Sequence, residues 1–147
     1  MLPFLRNILE KNEKLTEPEK DKQLAISALL IEAAMMDGTM TDDEKTTILR
    51  LISENFSLNE SESKSLFDNA QNMQEVSNQI IHFTRTIKEG YSEEERLKLV
   101  EMMWEVVLAD GIETDFEKNL MRRIAGLLYI PDQQSGAARK KALEKNN

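Results

Sequence analysis

At 147 residues, with 40% hydrophobic and 31% charged residues, the chain has the make-up of one globular domain rather than of a disordered segment. The absence of cysteine excludes disulfides, thiolate metal sites and a cysteine nucleophile, and it fits a cytoplasmic protein. A formal net charge of −8 opposes contact with phosphate backbones, so nucleic acid is excluded as a partner, and a cation or a basic protein face is favoured.

The opening residues, Met1-Leu2-Pro3-Phe4-Leu5-Arg6, carry neither a long apolar run nor a small-residue cleavage site, so neither a signal peptide nor membrane insertion is expected. Phe4, Leu5, Ile8 and Leu9 predict a short amphipathic helix. A longer helix is predicted from Thr16, with Pro18 in the first turn and Glu19 three residues on to close a capping box. From Leu24 to Met36 its only charged residue is Glu32, and apolar side chains occupy every face, the pattern of a buried helix. It should stop at Asp37-Gly38, where glycine accepts left-handed backbone. Thr41 and Glu44 make the next capping box, and a third helix is expected from Asn59. Met73, Val76, Ile80, Phe83 and Ile87 form one stripe at helical spacing and predict a linking helix over about 73–88.

The rest of the chain repeats the first part. Shifted by 73 positions, Leu24–Lys45 lies over Leu97–Lys118 with eight identities in 22 positions, where composition alone gives about one or two. The identities are Leu24/Leu97, Glu32/Glu105, Asp37/Asp110, Gly38/Gly111, Thr41/Thr114, Asp42/Asp115, Glu44/Glu117 and Lys45/Lys118, and Arg50/Arg123 continues the register. Ser92 with Glu95 and Thr114 with Glu117 are the matching capping boxes, and a last helix is expected from Asp132. The expectation is an all-α, compact seven- to eight-helix bundle of two similar halves with approximate two-fold symmetry. Residues 1–147 form a single domain in this reading, with repeat one at about 16–69 and repeat two at about 91–145.

Glu32 and Glu105 are isolated carboxylates in apolar helices, and burial without compensation is costly. Two readings stand for them: a structural ion pair with Arg50 and Arg123, or ligation of a cation. The loops Asp37–Glu44 and Asp110–Glu117 pose the same choice. Asp37 and Asp110 can bond loop amides while Glu44 and Glu117 cap the next helix. Equally, carboxylates gathered on a tight turn are the hard-oxygen donors that Ca²⁺, Mg²⁺ or Mn²⁺ prefers. An EF-hand is excluded, because with Gly38 in sixth place the twelfth position is Lys45, and in the second loop it is Lys118. The single histidine, His82, lies opposite the linking stripe and rules out a Glu-x-x-His di-metal site. No triad or phosphate-cradling glycine loop can be assembled, so no enzyme is expected. The methionines read as core fillers, and Arg139-Lys140-Lys141 as a helix-end charge cluster.

The segments Leu29-Leu-Ile-Glu-Ala-Ala-Met-Met-Asp-Gly38 with Thr41-Asp-Asp-Glu44, and Met103-Trp-Glu-Val-Val-Leu-Ala-Asp-Gly111 with Thr114-Asp-Phe-Glu117, resemble the tellurite-resistance protein B (TerB-like) family. The resemblance runs from about Thr16 to Ile130, most of the chain. It implies an all-helical, non-catalytic bacterial cytoplasmic protein linked to metal or oxyanion stress, with other proteins as partners in a membrane-associated complex. It also implies divalent-metal binding, which by position falls on Glu32, Asp37, Glu105 and Asp110, with Glu44 and Glu117 as secondary ligands. Met40 stands where the second loop has Glu113, so the two loops are not equivalent. The alternative is a metal-free protein–protein interaction scaffold in which the acidic loops are structural.

Overall fold

A computed structural model describes residues 16–35, 38–76, 80–109, 111 and 114–145. The described residues form seven α-helices and no strand. They are α1 (Glu17–Ala34), α2 (Asp42–Phe56), α3 (Glu60–Val76), α4 (Ile80–Gly90), α5 (Glu93–Val107), α6 (Asp115–Leu127) and α7 (Asp132–Lys145). The helix predicted at Phe4–Leu9 lies outside the described residues, as do Asp37 and Asp110.

Local chemistry explains where these helices start. At α1, α2, α5 and α6 the N-cap hydroxyl accepts the backbone N–H three residues on, and the glutamate there accepts the N-cap N–H in return. Each reciprocal pair satisfies two donors that a helix start leaves open. Asn59 and Glu62 make the same exchange at α3, at 2.8 and 3.0 Å. The ends differ slightly from expectation. α1 and α5 stop at Ala34 and Val107, before the Asp-Gly pairs, with Met35 and Leu108 as C-caps. Gly38 and Gly111 then take positive φ, +95° and +76°, and their N–H groups donate back to the Met35 and Leu108 carbonyls. The linking stripe is divided: Met73 belongs to α3, while Phe83 and Ile87 belong to α4.

α1 and α5 form the centre. α1 buries Ala25 to Ile31 without a break and packs against α2, α3, α4, α5 and α6. α5 buries Met102 to Val107 without a break and packs most extensively on α7, and also on α1, α2 and α6. α2 and α6 are amphipathic, and they turn Ile48, Leu51 and Ile52, and Leu120, Met121 and Ile124, toward that centre. Each fully buried Leu or Ile adds about 2 kcal/mol over an exposed one, so the two central helices hold much of the stability. No helix among the described residues is long and apolar enough to cross a membrane.

The glycine geometry yields a contrast. A Cβ at Gly38 or Gly111 meets nothing within 4 Å, so only the positive φ opposes a side chain there. Gly38→Ala and Gly111→Ala should each lower stability by about 1 kcal/mol. Gly126→Ala, in the last turn of α6, should raise it by up to about 0.5 kcal/mol. Urea titration of the three variants checks the signs, and a neutral Gly111→Ala would contradict the loop geometry.

Candidate functional site

The eight residues singled out by charge and register fall into three groups. Asp37 and Asp110 lie outside the described residues. Glu44 and Glu117 belong to capping boxes. Glu32, Glu105, Arg50 and Arg123 sit on α1, α5, α2 and α6.

Glu44 and Glu117 are acidic yet only 2% and 5% exposed. Glu44 Oε1 accepts the Thr41 N–H at 2.8 Å while Thr41 Oγ1 accepts the Glu44 N–H at 3.1 Å. Glu117 Oε1 accepts both the N–H and the hydroxyl of Thr114, each at 2.9 Å. A carboxylate bonded to backbone N–H groups at a helix start also faces the positive end of the helix dipole. Any cation ligated by these oxygens must therefore compete with the caps.

The two central glutamates are not alike. Glu32 is partly buried, whereas Glu105 is 3% exposed. The Glu105 carboxylate faces Arg50 Nη2 at 3.8 Å and Lys145 Nζ at 3.9 Å. Arg50 also reaches Glu54 at 3.3 Å, and Lys145 hydrogen-bonds Glu101 at 2.8 Å. An alternating chain of charge, Glu54–Arg50–Glu105–Lys145–Glu101, thus joins α2, α5 and the end of α7 beside a cavity of about 220 Å³. The contacts to Glu105 exceed hydrogen-bonding length, so the attraction there is coulombic. Arg123 is exposed on α6, and among the described residues no ion pair joins it to Glu32 or Glu105. Lys145 stands in the role that register alone would assign to a second arginine. Its partner 73 positions earlier is Asn72, so the repeat carries no signal for it.

The hydrogen bond to Glu101 holds the Lys145 ammonium above its ordinary pKa of 10.5, burial opposes this, and the Glu105 charge reinforces it. His82 is exposed on α4. Among the described residues, no group of three or more His, Asp or Glu side chains is placed to hold a metal ion.

Arg50 and Lys145 are about half in solvent, at 48% and 53% exposure, so screening moderates their hold on Glu105. Arg50→Met and Lys145→Met should each cost about 1 kcal/mol, well short of a fully buried pair. Both losses should shrink in a Glu105→Gln background, and losses independent of Glu105 would break the account. The contribution of Lys145 has a defined pH window. Because its folded pKa is raised, the contribution is complete below the ordinary value of 10.5 and fades as pH climbs through the higher folded value. The gap in thermal midpoint between the native chain and Lys145→Met should accordingly narrow above that pH.

No curated protein and no solved structure matches the chain. The family described as Tellurite resistance protein TerB matches residues 23–140. That stretch begins inside α1, ends inside α7 and contains Glu32, Glu105 and both acidic loops, and the chain therefore belongs to the TerB family.

Proposed function

We propose that the chain is a non-catalytic cytoplasmic module of metal or oxyanion stress that works by binding other proteins, with its acidic repeats serving as structural turns. The observation that carries this reading is the use of Glu44, Glu105 and Glu117. All three are buried, two are bonded into capping boxes, and the third lies between two cations. Family membership ties the module to tellurite resistance. The surplus of 27 acidic over 19 basic residues supports a partner with a basic face, including one assembled at a membrane.

A second reading is divalent-cation binding at the acidic loops. Glu32 is partly buried on α1, and Glu105 is buried beside Arg50 and Lys145. Its ligands would come from Glu32, Asp37, Glu105 and Asp110, with Glu44 and Glu117 as secondary donors. Oxygen donors of this type suit Ca²⁺, Mg²⁺ or Mn²⁺.

Calorimetric titration of chelator-treated protein with Ca²⁺, Mg²⁺, Mn²⁺ and Zn²⁺ separates the two. The scaffold reading expects no binding tighter than about 1 mM. Tighter binding that disappears in Asp37→Asn or Asp110→Asn, while Glu117→Gln retains it, would overturn that reading in favour of a loop-centred metal site.

A further inference from the structure

The cavity beside the alternating chain of charge measures about 220 Å³, and roughly 150 Å³ is already enough to hold a benzene molecule. It opens between α2 and α5, with Lys145 of α7 on its wall. Its lining balances Arg50, Lys98 and Lys145 against Glu54, Glu101 and Glu105. Two of these pairs are closed within the protein. Arg50 reaches Glu54 at 3.3 Å, and Lys145 hydrogen-bonds Glu101 at 2.8 Å. That leaves one carboxylate and one ammonium with unused capacity.

The carboxylate is that of Glu105. Its side chain is only 4% exposed, and Arg50 Nη2 and Lys145 Nζ both approach the same oxygen, Oε1, at 3.8 and 3.9 Å. Neither distance is a hydrogen bond, and among the described residues no group donates one to either Glu105 oxygen. A carboxylate withdrawn from water with its acceptor sites unfilled is unfavourable, and a donor brought into the cavity relieves it. The ammonium is that of Lys98, which is exposed and joins no ion pair among the described residues. Lys98, Met102 and Glu105 follow one another along a single face of α5, and all three line the cavity. Read along the helix, this wall is cation, apolar group, anion.

We propose that this cavity binds a small ω-amino acid, with its ammonium on Glu105, its methylenes against Met102 and Leu51, and its carboxylate on Lys98. A zwitterion leaves the balanced lining neutral, whereas a lone cation or anion would unbalance it. The ammonium supplies the donors that Glu105 lacks, while Arg50 and Lys145 keep Glu54 and Glu101. Seven residues separate Lys98 from Glu105, a rise of about 10 Å along α5. That span suits charges several methylenes apart better than the neighbouring charges of an α-amino acid. The site goes beyond the scaffold reading and leaves the capping boxes untouched. Its test runs without divalent metal, so its failure would not bear on the acidic loops.

Asn55 also lines the cavity and donates its side-chain amide to the Leu51 carbonyl at 2.8 Å, so its NMR signal reports on an occupant. Chelator-treated full-length protein is titrated with ε-aminocaproate, glycine, hexanoate and hexylamine at matched ionic strength. ε-Aminocaproate should shift that signal with a Kd at or below about 1 mM, and the other three should bind about tenfold more weakly or worse. Lys98→Met should bring ε-aminocaproate down to the level of hexylamine, because each change removes the same pair. Lys98 is exposed, so this variant should keep the native thermal midpoint. Glu105→Gln should abolish saturation, with circular dichroism to verify its fold, and Lys98→Met carries the test should that fold fail. No saturable shift up to about 10 mM ε-aminocaproate, or an unchanged affinity in Lys98→Met, would overturn the proposal. Glycine, hexanoate or hexylamine binding as tightly as ε-aminocaproate would overturn it too.

Discussion

α1 and α5 bury most of their circumference, and that constraint shapes the rest of the molecule. An amphipathic helix can leave one face in water, but a helix buried over consecutive residues such as Ala25–Ile31 or Met102–Val107 needs neighbours on every side. α2 and α6 cover them with amphipathic faces, α3 and α7 close their outer sides, and α4 seals α1 with Phe83 and Ile87. Each acidic loop links a central helix to the amphipathic helix that covers it.

The acids nearest this core are accordingly held in place. A carboxylate in a low-dielectric surrounding survives in charged form only with hydrogen bonds or counter-charges. Glu44 and Glu117 obtain theirs from the backbone of the loop, and Glu105 obtains its from Arg50 and Lys145. The last arrangement ties α2 and the end of α7 to one central helix, α5. Three buried carboxylates of this protein thus serve the fold.

Much of the frame was legible in the residues. The four Ser/Thr and Glu pairs announce helix starts because a capping box needs its two residues at a set spacing, whatever surrounds them. Gly38 and Gly111 mark positive φ for an equally local reason. Contacts between distant helices were harder to see. Lys145 has no repeat partner of like charge, so nothing in the register pointed to it, whereas Arg123 matched Arg50 by register and yet faces solvent. The stripe from Met73 to Ile87 held helical spacing across the boundary between α3 and α4, because both segments present apolar residues to α1. Lys98, Met102 and Glu105 share a face of α5 by spacing, but only the packing of α2 beside it makes that face the wall of a cavity.

The claim that the acidic repeats are structural can be read at two backbone amides. The N–H groups of Thr41 and Thr114 donate to Glu44 and Glu117 at 2.8 and 2.9 Å, so their hydrogen exchange reports whether those carboxylates stay in the caps. Exchange measured by NMR with and without saturating Ca²⁺ or Mg²⁺ should show both amides protected and unchanged by the cation. Faster exchange at either threonine on addition of the cation would mean that the glutamate leaves its cap to ligate metal, and would contradict the account.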